Sequence, residues 1–126
     1  MDLLDTQVYE LIGDEGFARL VAGVYRRVPD DGILGPLYKG RDLAAAEWRL
    51  REFLVGRFGG PERYIQQRGN PRLRMRHHPF KIDQAARDRW VLVMSGALKE
   101  AKLHSGAETM LRRFFEDSAT FMINQE

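Results

Sequence analysis

Four segments of the chain place apolar residues at the spacing of an α-helix, and no segment alternates them as a β-strand does. These segments span residues 14–28, 42–58, 83–104 and 107–122. The first carries its apolar side chains on one helical face, at Phe17, Leu20, Val21, Val24, Tyr25 and Val28. The pattern predicts an all-α fold of four main helices, preceded by a short helix that carries Val8, Leu11 and Ile12.

Capping and breaking residues bound these helices. Asp14, Asp42 and Asp83 precede three of them, where a carboxylate accepts from the free N–H groups of the first turn. Asp5 or Thr6 is expected to cap the short first helix. Breaks are expected at Gly13, at 29–32, at Gly59-Gly60-Pro61 and at Ser105-Gly106.

Composition narrows the class of protein. The 126 residues suit a single domain, 1–126, and the chain has no cysteine, which excludes disulfides and thiolate metal sites. No apolar run reaches membrane-spanning length and no signal peptide is evident, so a cytoplasmic protein without a membrane partner is expected. A net charge of +2 is weak evidence for nucleic acid, because both signs are spread along the chain.

No helical period holds between residues 59 and 82. A connection of this length without secondary structure is unusual in a compact domain and is typically functional. We therefore expect a bound cofactor to hold this segment in place.

The segment contains the basic run 71–80, Pro-Arg-Leu-Arg-Met-Arg-His-His-Pro-Phe. Cationic side chains alternating with Leu73 and Met75, followed by an imidazole, suit a flat apolar ligand with an anionic edge, and haem is such a ligand. A basic surface loop with inert histidines is the alternative, and from the run alone it is the commoner outcome.

Three motifs of the chain resemble the group II truncated haemoglobins, the small two-over-two globins of bacteria. They are Phe58-Gly59-Gly60-Pro61 with Tyr64, the run 69–77 that ends in His77, and Arg87-Asp88-Arg89-Trp90. Their order and spacing match from about Val8 to Asn124. The resemblance implies a two-over-two helical sandwich, with a long haem-side loop before a short proximal helix, and haem b (iron protoporphyrin IX) as the cofactor.

The resemblance makes His77 the proximal iron ligand. In such sites the second ring nitrogen donates to a backbone carbonyl, which fixes the tautomer. His78 is the rival, but Pro79 favours an extended backbone at His78, which suits the exit from the helix better than a ligating position. His78 is therefore expected at the surface or beside the propionates.

The resemblance also implies a polar distal pocket formed by Tyr25, Tyr38 and Trp90. Each side chain is an aromatic with a hydrogen-bond donor at its tip. Dioxygen held by a haem iron carries partial negative charge, so donors aimed at it slow its release. Packing as ordinary core aromatics is the alternative for each residue.

Further contacts to the haem follow from the same resemblance. Ala46 stands where classical globins carry a distal histidine, so no imidazole comes from that helix. Leu50, Phe53 and Leu54 would cover the haem, and Arg49 could pair with a propionate or remain a solvated charge. Tyr64, Arg74 and Arg76, in the haem-side loop, are predicted to bind the propionates. The remaining predicted contacts are Met75 and Phe80 in the same loop and Met94 on the fourth helix.

The chain departs from the family pattern at Val24, Phe58, Asn70 and Gly13-Asp14. None of these positions is the iron ligand or a distal donor, so they affect pocket volume and ligand access rather than haem binding.

Two classes of function remain open. The first is a haem protein, monomeric or homodimeric, that binds dioxygen and other diatomic ligands for storage or sensing. Within this class the family also allows a redox enzyme with a reductase partner, acting as a nitric oxide dioxygenase or in a peroxidase-like way. The second class is a haem-free helical module that binds nucleic acid or an anionic partner through its arginines. Groove-reading helices need a basic face, and these arginines lie in the irregular segment instead, so nucleic acid is not expected as a partner.

Overall fold

The computed structural model describes residues 3–125, and all regular structure in that range is helical. A short 3₁₀ turn, Asp5–Gln7, leads into the first helix. Seven α-helices follow: α1 Val8–Arg27, α2 Leu34–Leu37, α3 Leu43–Arg57, α4 Arg63–Arg68, α5 Leu73–His77, α6 Gln84–Ala101 and α7 Ser105–Phe121. The all-α prediction is confirmed. No helix in the described range is long and apolar enough to span a lipid bilayer.

The four long helices enclose one core. Helix α1 packs against α3 and α6, and α6 packs against α7. The apolar face predicted for residues 14–28 forms the centre, where Phe17, Leu20, Val21, Val24 and Val28 have no exposed surface. Burying a side chain of this kind stabilises the fold by about 1.5–3 kcal/mol, so the apolar stripes decide how the helices associate.

Two glycines with positive φ angles allow the start of the chain to pack against the end of α3. Gly13 has φ 64° and kinks α1, as the predicted break requires. Gly59 has φ 100° at the end of α3, and a Cβ atom there would lie 1.9 Å from the carbonyl oxygen of Thr6. The neighbouring carbonyl of Phe58 accepts a hydrogen bond from the N–H of Tyr9 at 3.0 Å. The start of α1 is thereby fixed against the end of α3.

The caps predicted at Asp42 and Asp83 are confirmed, and those predicted at Asp14 and at Asp5 or Thr6 are wrong. The carboxylates of Asp42 and Asp83 accept from the N–H groups of Ala45 and Ala86. The carboxylate of Asp14 instead accepts from the Tyr9 hydroxyl at 2.9 Å. Neither Asp5 nor Thr6 caps α1. Both residues belong to the 3₁₀ turn, and Gln7 is the residue that precedes α1.

The break between α6 and α7 comes earlier than Ser105-Gly106. Helix α6 ends at Ala101, and Lys102 adopts a left-handed conformation with φ 51°. His104 then caps α7, its Nδ1 atom accepting from the N–H of Gly106 at 3.1 Å. The cap formed by His104 therefore lets α7 begin at Ser105, and the break between α6 and α7 lies about one turn before the predicted position.

The segment 59–82 contains two short helices: α5 is the short proximal helix that the resemblance implied, and α4 was not expected. Helix α4 is held from outside: the guanidinium of Arg63 binds the carboxylates of Glu52 and Asp14, on α3 and α1. A helix of six residues is too short to be stable without such contacts. Helix α4 therefore depends on residues far away in the chain, and the spacing of its own apolar residues does not predict it.

Candidate functional site

A cavity of about 440 Å³ lies between α3, α6, α7 and the segment that carries α4 and α5. This volume falls in the range of roughly 300–1,000 Å³ that is typical of cofactor and ligand pockets. Its walls are largely apolar, and Leu50, Phe53, Met94 and Phe115 contribute to them.

His77, the last residue of α5, lines one wall of this cavity. Its Nδ1 atom lies 2.7 Å from the carbonyl oxygen of Leu73, one turn earlier in the same helix. A carbonyl oxygen can only accept, so Nδ1 carries a proton, and in the neutral ring Nε2 is the nitrogen with the lone pair. An imidazole fixed in this tautomer is suited to bind a metal ion through Nε2.

Hydrogen bonds from Arg76 hold the chain before α5. Its guanidinium donates to the carbonyls of Pro71 at 2.7 Å, Arg68 at 2.8 Å and Asn70 at 3.3 Å. These bonds occupy much of the donor capacity of a side chain that was predicted to bind a propionate. Arg76 lines the cavity and at the same time organises the loop.

The chain after α5 is held by Asn124, which follows α7. Its side-chain amide donates to the carbonyl of Phe80 at 2.9 Å and, more weakly, to that of His77 at 3.4 Å. Its Oδ1 atom accepts from the N–H of Ile82 at 2.9 Å. Protein contacts on both sides of α5 therefore position His77, where the sequence suggested a cofactor alone.

His78 has its backbone in the helical region, with φ −54° and ψ −38°, so the expected extended conformation is wrong. Its N–H donates to the carbonyl of Met75 at 3.2 Å and closes the last turn of α5. This hydrogen bond outweighs the statistical preference for an extended residue before proline. The His78 side chain is exposed and does not line the cavity.

Three donors face the cavity from separate elements: Tyr25 from α1, Tyr38 from the residue after α2, and Trp90 from α6. The two tyrosine rings meet edge to face, with centroids 6.0 Å apart and planes at 87°. Burial, followed by the neighbouring Tyr38 hydroxyl, raises the pKa of Tyr25 far above its ordinary value. Burial also raises the pKa of Tyr38, while Tyr25 and the charge of Arg49 oppose that rise. Both phenols stay protonated and able to donate near neutral pH.

A charged pair connects two of the elements that carry these donors. Arg89, next to Trp90 on α6, donates to one carboxylate oxygen of Asp31 at 2.9 and 2.5 Å. Asp31 is 8% exposed, and its other oxygen accepts from the N–H groups of Ile33 and Leu34. Arg89 and these backbone donors lower the pKa of Asp31 to about 2. The pair fixes α6 against the turn that leads to Tyr38.

Arginines surround the cavity, and no Asp or Glu lines it in the described part of the chain. The guanidinium of Arg41 stacks on the ring of Phe80 at 4.4 Å and so joins the α2–α3 connection to the segment after α5. The lining arginines come from five different positions: Arg41, Arg49, Arg68, Arg76 and Arg87. Their excess of positive charge favours a ligand with an anionic edge.

Most of the predicted site residues line this cavity: Tyr25, Tyr38, Arg49, Leu50, Phe53, Tyr64, Arg76, His77, Phe80, Trp90 and Met94. Three do not. Leu54 is fully buried in the helical core, and Met75 is 57% exposed. Arg74 is exposed and reaches only the carbonyl of Ile123, at 3.4 Å. The sequence reasoning missed Arg41 and Asn124; the corner that contains Tyr38 could have indicated Arg41, whereas no local signal marks Asn124.

The donor set suits haem. Residues 3–125 contain no group of three or more His, Asp or Glu side chains that could hold a metal ion. A macrocycle supplies four of the iron's ligands itself, so one imidazole suffices. An apolar slot with a single tautomer-fixed histidine and a cationic border therefore fits a haem.

A model of the bacterial-like globin family matches residues 7–124. The chain belongs to this family. It is 36% identical over 121 residues to a group 2 truncated haemoglobin of Bacillus subtilis (strain 168), covering 93% of this chain and 88% of that protein. The resemblance to group II truncated haemoglobins is thereby confirmed.

Solved structures of truncated haemoglobins and related haemoglobins share this fold. A thermostable haemoglobin from the actinobacterium Thermobifida fusca is 42% identical, with a TM-score of 0.88 over 93% of this chain and 96% of that one. The haemoglobin of the thermophilic bacterium Chloroflexus aurantiacus is 40% identical, with a TM-score of 0.90 over 94% and 98%. The two-over-two globin fold is thus shown, and membership of this family implies a haem cofactor and the binding of diatomic ligands such as dioxygen.

Proposed function

We propose that His77 holds the iron of haem b through Nε2, in the cavity between α3 and α5. The observation that carries this proposal is the 2.7 Å contact between His77 Nδ1 and the Leu73 carbonyl, because it leaves Nε2 as the free ligand atom. Leu50, Phe53 and Met94 line the cavity as the apolar cover.

The anionic edge of the haem would meet the cationic border of the cavity. Arg49 and Tyr64 line the cavity and are candidates for propionate contacts. Arg76 has three of its possible contacts taken by backbone carbonyls, so its main role is to organise the loop before α5. Arg74 and Met75 point away from the cavity and are not assigned to the haem.

A haem in this cavity would supply an iron able to bind a diatomic ligand. The chain supplies the donors around that ligand, from Tyr25, Tyr38 and Trp90. A hydrogen bond to a charged acceptor in a dry pocket is stronger than one in water. We infer that this pocket retains dioxygen and releases it slowly.

Slow release favours oxygen storage or sensing over bulk transport. A related structure, 33% identical to this chain, is described as a truncated oxygen-avid haemoglobin from Bacillus subtilis, and we propose the same property here. Stopped-flow measurement of oxygen dissociation from the ferrous protein tests this. Rapid release, unchanged by removing the distal donors one at a time, would contradict it.

Redox chemistry is the second candidate, and the cationic border of the cavity favours it. Conversion of nitric oxide and dioxygen to nitrate consumes one electron, so sustained turnover on a bound haem would need an external electron donor. Among residues 3–125, five arginines and no Asp or Glu line the cavity, and this positive charge attracts an acidic electron donor. Nitrate formed per haem, measured with and without a reductant, distinguishes sustained turnover from a single cycle.

A further inference from the structure

The stretch 63–82 contains six Arg or Lys residues, two histidines and no Asp or Glu. Two of the six cations are used within the fold. Arg63 binds Glu52 and Asp14, and Arg76 binds the carbonyls of its own loop. The other four, Arg68, Arg72, Arg74 and Lys81, are exposed and make no ion pair with any described residue. We call these four the proximal cationic surface.

Several exposed or half-buried cations of the helical bundle are paired with carboxylates. Arg26 and Arg27 on α1 both bind Glu100 on α6. Arg57 binds Asp5 at 2.8 Å, and Arg112 binds Glu108 at 2.8 Å.

Other bundle cations, such as Lys99, Lys102 and Arg113, make no ion pair with a described residue, but α6 and α7 also carry acidic side chains. The stretch 63–82 carries none, so its positive charge is not offset along the chain. Such a concentration of one sign attracts partners of the opposite sign and raises their association rate.

The proximal cationic surface lies next to the cavity. Arg68 itself lines the cavity, and Arg72 and Arg74 flank Leu73, which lines it too. Met75, on the same short helix, is 57% exposed among these cations. Methionine and arginine are both enriched where proteins meet other proteins. A protein docked here would lie against the segment that holds the proximal histidine.

We propose that the proximal cationic surface docks an acidic electron-donor protein, which passes one electron to the haem. In this step the donor loses one electron and ferric iron becomes ferrous. The inference rests on the proposed function, because it requires a haem held by His77. A helix of five residues, α5, is too short to read a DNA groove or to lie along a membrane as an amphipathic helix.

The test uses the haem-loaded protein and an acidic flavodoxin in its fully reduced form as the probe. The variant is Arg74→Glu with Lys81→Glu, two exposed residues that do not line the cavity. The matched control is Lys99→Glu with Lys102→Glu, which changes the net charge equally. Neither control lysine lines the cavity, and Lys99 lies five residues beyond Met94, the last residue of α6 that does, about 7.5 Å along the helix axis at 1.5 Å per residue.

At low ionic strength we expect the second-order rate of haem reduction to fall about tenfold or more in the variant and less than twofold in the control. Added salt should remove most of the difference. Equal rates in variant, control and parent protein would overturn the proposal, and so would an equal fall in both variants.

Binding provides a readout that does not depend on the reaction. Oxidised flavodoxin, titrated into the isotope-labelled carbon monoxide complex, should shift the amide NMR signals of residues 68–81 in the parent and control but not in the variant. Tighter binding of a DNA duplex or of phosphatidylserine vesicles to the same residues, near physiological salt, would overturn the choice of a protein partner. Haem content and carbon monoxide binding are measured on every sample; if they are absent from the parent, the proposed function has failed, and the docking proposal fails with it.

Discussion

Arg89 of α6 donates two hydrogen bonds to one oxygen of the buried Asp31 carboxylate, whose second oxygen caps the turn leading to α2. Trp90 is the next residue on α6, and Tyr38 follows α2 directly. One charged pair therefore sets the relative position of two of the three donors that line the cavity. It is also a point at which stability and the proposed distal chemistry are coupled.

Replacing Arg89 by methionine should lower the free energy of unfolding by about 1.5–3 kcal/mol, because a buried carboxylate loses its charged partner. Urea denaturation of the carbon monoxide complex measures this. Glu108→Gln is the control, since it removes the less buried ion pair with Arg112, leaves the hydrogen bond from Arg112 to Ser95 in place, and should cost only about 0.3–0.5 kcal/mol. Equal losses in the two variants would mean that the Asp31 pair has no special structural role.

Trp90 is the distal donor whose contribution is simplest to isolate. The indole N–H can only donate, and Trp90→Phe deletes it while most of the apolar volume remains. Loss of a hydrogen bond to a partly charged acceptor costs about 1.5–3 kcal/mol. Oxygen should then dissociate on the order of ten to a hundred times faster.

Trp48→Phe serves as the control for that experiment, because Trp48 lies on α3 and does not line the cavity. Carbon monoxide, which is less polar when bound, should respond less than oxygen. The double variant with Tyr25→Phe detects any compensation by the tyrosine hydroxyls. An oxygen dissociation rate equal to the parent's in both variants would reduce Trp90 to a packing residue.

The tyrosine donors should keep the pocket insensitive to alkaline pH. Burial raises the pKa of Tyr25 and of Tyr38, so the neutral, donating form persists well above the ordinary tyrosine range. Oxygen dissociation, followed from pH 6 to about pH 10, should therefore remain constant. A marked acceleration near pH 10 that Tyr25→Phe abolishes would show that this phenol ionises normally.

Asn124 should matter for retention of the haem although it does not line the cavity. Asn124→Ala removes hydrogen bonds to Phe80 and Ile82, which position the chain after His77. A local loss of about 1–3 kcal/mol is expected, with haem transfer to apomyoglobin accelerated on the order of tenfold. Hydrogen exchange in residues 73–82 should also increase.

Gln125→Ala is the neighbouring control. Among the described residues its side chain hydrogen-bonds to Asn124 alone, at 3.4 Å, so haem transfer should remain at the parent rate. If Asn124→Ala retains haem as well as the control does, the chain after α5 is ordered by the cofactor alone, as the sequence first suggested.

The sequence predicted those features of the fold that depend on residues close to one another in the chain. The helical stripes and the caps at Asp42 and Asp83 depend on residues close in the chain, and the structure has them. Helix α4 is held by ion pairs from Arg63 to two other helices, so the spacing of its own apolar residues does not predict it. The cap formed by His104 was missed because histidine is an uncommon cap, and the Ser105-Gly106 pair resembled a break.

The predicted site residues likewise differ in whether the sequence alone could place them at the cavity. His77 and Leu73 are four apart and share a face of α5, whereas Arg74 and Met75 lie on other faces and leave the cavity. That distinction needed the helical conformation of residues 73–77, which the sequence reasoning did not apply to Arg74 and Met75. Leu54 was misplaced for a similar reason: Leu50 and Phe53 line the cavity from α3, and Leu54 packs into the core instead.

Ligation by His77 is the central claim, and substitution of this histidine tests it most directly. His77→Gly should bind haem weakly or not at all when purified without additive, and added imidazole should restore a five-coordinate ferrous spectrum by occupying the vacated position. His78→Gly, at the exposed neighbouring position, should keep the parent's spectrum and haem content. A normal five-coordinate ferrous spectrum from His77→Gly without imidazole would contradict the account.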